Sequence, residues 1–238
     1  MVDLQIIIPV YNEGSAIKRV YDHLITALKN VSFSWEVSCV YDFDQDTTIP
    51  TLQEIAQQDS RLKPVKQTYG KGVVNAMKFA FNHAHEGPVV VVMGDDSDEL
   101  ENLPLMLEKY HAGALVVAAS RYSTGGEYQG GILVKKFLSK WAGQMLYWTG
   151  IGTRDPTNNF KLYSGKFLHS IQIESKAGFE IALELTVKAA LTRKGAVTEV
   201  PTTWRDRLNG ESKFKLFKWL PFYLYWFLFY FGHKLRHN

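Results

Sequence analysis

The chain has 238 residues, 46% hydrophobic and 21% charged, with a formal net charge of +3. That composition fits one globular domain with a terminal appendage and excludes a disordered chain or a nucleic-acid-binding tail, so no nucleic-acid partner is expected. The single cysteine, Cys39, excludes an intramolecular disulfide and a cysteine metal cage, and in its apolar setting it reads as a small core residue. A strand begins within a few residues of Met1, no signal peptide is visible, and a cytoplasmic protein is expected. Residues 4–10 (LQIIIPV) read as a buried parallel strand. The turn Tyr11-Asn12-Glu13-Gly14-Ser15 leads into a helix with Ile17, Val20, Tyr21, Leu24 and Leu28 on one face. Residues 35–41 (WEVSCVY) form the second strand, which ends in the acidic loop 42–48. Pro50 suits the first turn of the next helix, with Leu52, Ile55 and Ala56 inward. A short strand near 62–66 follows. Then Tyr69-Gly70-Lys71-Gly72 opens a helix with Val73, Ala76, Met77 and Ala80 on one face.

Residues 89–93 are a run of branched apolar residues, as expected of a strand buried on both faces, and they stop at an acidic cluster, Asp95, Asp96 and Asp98. A helix around 103–110 and a strand at 115–120 continue the alternation. The repetition predicts an α/β fold, a mostly parallel central sheet with helices on both faces. From Arg121 the pattern changes. Residues 123–131 are glycine-rich and read as a mobile loop, and 134–149 as a basic, aromatic amphipathic helix. Residues 155–163 (DPTNNFKLY) pass from a turn back into strand. A long helix spans 179–194, and 196–203 read as a strand that Pro201 assigns to an edge or an end. The tail from Leu216 is dominated by Phe, Tyr, Trp and Leu, with basic residues after it.

Three strand ends carry polar signatures: Asn12-Glu13, Asp42/Asp44/Asp46 and Asp95/Asp96/Asp98. In a parallel sheet they converge on one edge, where ligands collect. Close carboxylates repel one another and need a cation or an exposed setting. Mg²⁺ or Mn²⁺, which prefer oxygen ligands and bridge carboxylates to phosphates, would suit them. The plainer alternative is a solvated acidic loop, with Asp98 capping the next helix. Lys71 between two glycines at a helix start can meet a phosphate or simply form a turn.

In combination and order, PVYNE (Pro9 to Glu13), DFDQDT, GKG, DDSD, SRY, DPTNNFKLY and RLNGESKF resemble family 2 glycosyltransferases, whose nucleotide-sugar-binding fold is called GT-A. The branch most similar in pattern is dolichol-phosphate mannose synthase and its bacterial polyprenyl-phosphate sugar transferase relatives. The resemblance implies a GT-A domain over 1–215, with a nucleotide-sugar half at 1–120, an acceptor half at 121–215, and a membrane-interface or packing tail at 216–238. It places Pro9, Tyr11, Glu13, Asp42, Asp46 and Lys71 with the nucleotide, and Asp95, Asp96 and Asp98 with Mg²⁺ or Mn²⁺. The usual Asp-x-Asp is broken, since Met93 stands at its first position, so Asp95 must work with Asp96 or Asp98. The second loop also departs from Asp-Asp-Gly-Ser, with Tyr41 for the first Asp and Phe43 for Gly.

On the acceptor side the resemblance implies that Arg121, Arg207 and Lys213, joined by Ser212, hold an anionic phosphate, Arg121 through its planar fork. The implied reaction moves mannose or glucose, with inversion, from GDP-mannose, UDP-glucose or a related donor to a polyprenyl phosphate at the cytoplasmic membrane face. A phosphate acceptor has a second pKa of ~6, is largely dianionic at neutral pH and needs no strong base. That agrees with a region offering no evident His–carboxylate pair. A hydroxyl acceptor would need a base, Asp96 or Asp98. A non-catalytic nucleotide-sugar-binding scaffold is the third reading, favoured by Met93. Residues 219–231 are too short an apolar run to span a bilayer, which needs ~20 residues. The aromatic tail and the helix with Lys135, Lys136, Phe137, Lys140 and Trp141 therefore predict a peripheral membrane surface, or a packed core helix. Relatives continue into transmembrane helices, so any spanning partner is expected to be a separate protein.

Overall fold

The computed structural model describes residues 2–130, 133–205 and 216–237, the side chains of 133, 135, 216, 217 and 237 aside. The strands are β1 (Leu4–Pro9), β2 (Trp35–Tyr41), β3 (Leu62–Lys66), β4 (Pro88–Val91), β5 (Val116–Ser120), β6 (Glu127–Gln129), β7 (Lys161–Ser164), β8 (Val197–Pro201) and β9 (Thr203–Arg205). The helices are α1 (Ile17–Ala27), α2 (Ile49–Gln58), α3 (Val73–Asn82), α4 (Leu103–His111), α5 (Leu133–Trp148), α6 (Gly165–Ser170), α7 (Ile181–Thr192) and α8 (Leu216–His237).

Seven strands form one sheet in the order β3-β2-β1-β4-β7-β5-β8. Every pairing is parallel except those of β7, which lies antiparallel between β4 and β5. Both faces are covered, which is why β1 and β4 read as unbroken apolar runs rather than alternating ones. Ile6 and Ile8 pack with Leu24 of α1, Leu52 of α2 and Met106 of α4. Ile7, on the opposite face, packs with Met77 of α3, Phe167 of α6 and Leu185 of α7. Pro201 closes β8 at the sheet edge, where a missing backbone donor costs no ladder bond.

The second half departs from expectation in two places. The stretch 123–131, expected as a mobile loop, contains β6, which pairs in parallel with β9 and sets Tyr128 opposite Trp204. Three residues flanked by glycines carry no readable period, so only the distant partner reveals the strand. The tail helix α8 packs on the domain along one face and leaves the other exposed. Trp226 and Tyr230 are buried against Leu146, Ile151, Leu183 and Val187, while Leu224, Leu228 and Phe229 stay exposed. With the sheet on one side and α8 on the other, α7 is buried nearly all round. No described helix is long and apolar enough to cross a membrane.

Candidate active site

A cleft of about 520 Å³ opens where β1, β2, β4 and β5 end. Pro9, Tyr11 and Glu13 line it from the first strand end, Asp42 from the second, Asp95 and Asp98 from the fourth and Arg121 from the fifth. Asp46, Lys71 and Asp96 do not line it. Arg207, Ser212 and Lys213 lie outside the described residues.

The first two strand ends are tied together by polar side chains. Asn12 adopts a left-handed backbone, with φ of 55°, which asparagine tolerates better than most residues. Its amide N–H donates to both oxygens of Asp46, at 3.1 and 3.0 Å, and its side-chain oxygen accepts from the Thr47 N–H. Asp46, expected near the base or ribose, is instead buried and also accepts from the Thr48 N–H at 2.8 Å. Asp42 stays on the cleft wall, where Gln67 Nε2 and the Gly72 N–H each donate to it at 2.7 Å. Gln67, which sequence reasoning missed, also accepts from the Tyr69 N–H and so shapes the Gly-Lys-Gly turn. Lys71 lies 5.2 Å from the centre of the Phe43 ring, and Phe43 packs edge-on against Tyr11.

The loop after β4 sorts its three carboxylates into different jobs. Asp96 is the second left-handed non-glycine residue, with φ of 59°. Its carboxylate turns to α1, where it meets His23 Nδ1 at 2.8 Å and Arg19 Nε at 3.4 Å. His23 also reaches Glu101 at 3.1 Å. Burial alone would lower the His23 pKa, but its bonds to Asp96 and Glu101 carry it above the ordinary imidazole value. A His–carboxylate pair thus stands beside the site, against expectation, but it is formed on α1 and not in the cleft. The sign of φ at residue 96 decides this, and nothing in the residue order shows it.

Asp98 is buried and accepts from the Met93 N–H at 2.9 Å, which brings its carboxylate beside the position where the expected first acid is missing. Burial and then the charge of Asp95 push Asp98 up to about 7, against the pull of the Met93 N–H. No group of three or more His, Cys, Asp and Glu side chains forms a metal cage among the described residues. Two carboxylates on one cleft wall, Asp95 and Asp98, do fit a hard divalent ion that completes its shell with phosphate oxygens.

The fifth strand end carries a buried pair. Arg121 donates from Nε and Nη2 to the two oxygens of Asp155 at 2.6 and 2.8 Å, and its backbone N–H adds a third bond at 3.1 Å. Burial opposes both charges, but their attraction wins, holding Arg121 above and Asp155 below its ordinary value. The expected phosphate-binding fork is therefore turned to Asp155, whose carboxylate balances its charge, and Arg121 meets the cleft as one half of an ion pair. The rings of Tyr122 and Tyr128 lie 5.3 Å from its guanidinium carbon. Lys161, fully buried, donates to the carbonyls of Asp155, Pro156 and Asn158. A Cβ at Gly143 would collide with the Arg154 carbonyl, so glycine lets α5 settle on this same turn.

The far end of the cleft is apolar. Leu138, Trp141 and Leu146 of α5, Leu183 of α7, and Trp219, Tyr223, Leu224 and Phe227 of α8 form its wall. Trp204 joins them and packs on Tyr128 at 4.7 Å. Two backbone N–H groups tie that strand to the acidic loop: Thr203 donates to the Glu99 carboxylate at 2.7 Å and Arg205 to the Ser97 carbonyl at 3.3 Å. The aromatic run of the tail, expected at a bilayer or in a core, thus also builds the site.

The profile of glycosyl transferase family 2 matches residues 5–171. The dolichol-phosphate mannosyltransferase of Pyrococcus furiosus is 27% identical over 215 residues, 89% of this chain and 59% of the relative's length. That of Saccharomyces cerevisiae is 27% identical over 218 residues, 89% of this chain and 81% of its own. The chain thus spans somewhat more than half of the archaeal relative. Among solved structures, glucosyl-3-phosphoglycerate synthase from Mycobacterium tuberculosis in complex with UDP superimposes with a TM-score of 0.69 at 16% identity, over 97% of this chain and 80% of that one. The same enzyme with Mn²⁺, UDP-glucose and glycerol 3-phosphate gives 0.68 at 17% identity, with the same coverage. At that identity the likeness concerns the fold, a GT-A sheet with its helices.

Proposed function

The chain belongs to glycosyl transferase family 2, and from that premise we propose that it moves a hexose from a nucleoside-diphosphate sugar to a polyprenyl phosphate at a membrane surface. One observation carries this reading. A single cleft joins carboxylates at the strand ends to a long aliphatic and aromatic wall from α5, α7 and α8, with the Arg121 charge on the same surface. An acceptor with an apolar chain matches that wall, and its head would lie beside Arg121. The names of the archaeal and yeast relatives support the same acceptor class.

In this reading Pro9, Tyr11, Glu13 and Asp42 receive the nucleoside. Asp95 and Asp98 would hold Mg²⁺ or Mn²⁺ against the diphosphate, and the ion would neutralise charge on the leaving group. Asp96, with His23 and Arg19, holds the loop. A phosphate oxygen of the acceptor attacks the anomeric carbon as the bond to the diphosphate breaks, and the nucleoside diphosphate leaves. The acceptor phosphate is already ionised, so no side chain has to take its proton. Arg121, held by Asp155, lines the place where it binds, and the apolar wall excludes the water that would otherwise compete. Exposed Phe137, Trp141 and Trp148 of α5, with Leu224, Leu228 and Phe229 of α8, lie at the membrane interface.

Tyr128 and Trp204, packed together on the cleft wall, favour a second reading with a hydroxyl-bearing glycan acceptor, since flat rings with a polar edge suit sugars. The test is product analysis by mass spectrometry after incubation with GDP-mannose or UDP-glucose, Mn²⁺ and, in separate reactions, polyprenyl phosphate, free polyprenol or an oligosaccharide. A glycosyl phospholipid from polyprenyl phosphate, and nothing from the free polyprenol, supports the first reading. Sugar found only on a glycan supports the second.

A further inference from the structure

Residues 155–160 form the turn that enters β7, and the register of that strand fixes where the turn lies. Lys161 pairs with Val91 of β4 on one side and with Ala118 of β5 on the other. Because β7 runs antiparallel to both, the residues before Lys161 extend past the ends of β4 and β5. The Ala119 N–H donates to the Phe160 carbonyl at 3.1 Å, and Asn158 Nδ2 donates to the Ala119 carbonyl at 2.8 Å. Asn159 therefore stands at the level of Met93 and Ser120. It lies between the chain that goes on to Asp95 and the chain that goes on to Arg121.

Asn159 lines the cleft, and its side-chain oxygen is buried with no hydrogen-bond partner among the described residues. A buried polar atom without a partner is unfavourable and in native proteins is uncommon. The backbone of the turn is held in place. Lys161 grips three of its carbonyls, Asp155 is locked to Arg121, and Phe160 is fully buried. Asn159 is thereby placed on the cleft wall between the proposed diphosphate site and Arg121.

We propose that Asn159 reads a hydroxyl of the transferred sugar and is a specificity-determining residue of this enzyme. The inference rests on the reading that the cleft takes a nucleotide sugar. A hydroxyl both donates and accepts, and so does a carboxamide, so the match holds for either orientation of the amide. The nucleoside and diphosphate have other partners on the walls, so Asn159 contributes to the sugar alone.

The test uses the full chain with Mn²⁺ and calorimetric binding of GDP-mannose, GDP-glucose, UDP-glucose, UDP-galactose, GDP and UDP, beside turnover with each donor. In Asn159→Ala, the dissociation constant for the preferred nucleotide sugar rises roughly tenfold, as for loss of one hydrogen bond that leaves its partner buried. Its epimer on the same nucleotide is little affected, so the preference between the two shrinks by that factor. Affinity for the nucleoside diphosphate alone stays within about twofold. Asn159→Asp keeps an acceptor and retains part of the preference, which guards against a fold defect in the alanine variant. An unchanged epimer ratio, or equal weakening of the sugar nucleotide and the bare diphosphate, overturns the proposal. Sugar discrimination by binding without any transfer would overturn the transferase reading and leave Asn159 in its role. A wild-type chain that binds no nucleotide sugar overturns both.

Discussion

Arg121 and Asp155 form a two-pronged pair in which the arginine side chain is 9% exposed and the aspartate is fully buried. The motif residues Ser120-Arg121-Tyr122 and Asp155–Tyr163 are far apart in sequence yet act as one unit, because β7 inserts beside β5. Removing one partner leaves the other charge buried and unpaired. Asp155→Ala therefore costs about 3–5 kcal/mol of stability, measured by urea denaturation. Asp155→Asn keeps the shape and one acceptor and loses less. A loss under about 1 kcal/mol for Asp155→Ala would mean that the pair is open to water.

The carboxylates of the acidic loop divide by direction. Asp95→Ala and Asp98→Ala each abolish Mn²⁺ binding in the presence of a nucleoside diphosphate, followed by electron paramagnetic resonance. Asp96→Asn retains the left-handed backbone, and its Mn²⁺ affinity stays within about threefold of wild type. Asp96 is partly exposed, so the stability lost with its contacts to His23 and Arg19 is at most about 1 kcal/mol. Loss of Mn²⁺ binding in Asp96→Asn with retention in Asp98→Ala would reverse the assignment.

Burial pushes Lys161 down to about 7 in the folded chain from an ordinary value of 10.5. Between those pH values the unfolded chain binds more protons than the folded one, so stability rises with pH across that window. The contribution of this one group has a slope of at most about 1.4 kcal/mol per pH unit. Below pH 7 the folded chain carries the full cost of the buried charge. Lys161→Met removes that rise. Denaturation midpoints from pH 7 to 10 should climb for wild type relative to Lys161→Met, and parallel curves would contradict the lowered Lys161 pKa.

The two faces of α8 separate by substitution. Trp226→Ala opens a cavity beneath α7 and costs about 3–5 kcal/mol. Leu228→Glu, on the exposed face, changes stability by no more than about 0.5 kcal/mol but weakens flotation with anionic liposomes. Unchanged flotation of Leu228→Glu together with Phe229→Glu would refute the membrane contact. Deleting the whole helix tests neither, because it also strips Trp226 and Tyr230 from the core.

The centre of the sheet was legible because β1 and β4 are buried on both faces and read as unbroken apolar runs. Residues 35–41 and 62–66 are strands over those same residues in the structure. The polar strand ends pointed to one sheet edge, and Glu13, Asp42 and Asp95 do line one cleft there. What stayed hidden depends on backbone direction and distant pairing. Asp96 and Asp98 look alike in sequence, and a left-handed φ at one of them sends it to His23. Asp46 looks like a ligand group until its backbone partners, 34 residues away in the case of Asn12, are known. Asn159 carries no signal of its own, and only the antiparallel register of β7 sets it between Asp95 and Arg121. The pairing of β6 with β9 joins residues more than 70 positions apart, beyond the reach of local pattern.

The most direct test of the central claim is release of nucleoside diphosphate from GDP-mannose and UDP-glucose, measured with and without Mn²⁺ and with and without a polyprenyl phosphate in detergent micelles. Release that requires both the metal and the lipid phosphate, from one of the two donors, is the predicted result. Release at the same rate without lipid phosphate, or with a free sugar in its place, would contradict the account.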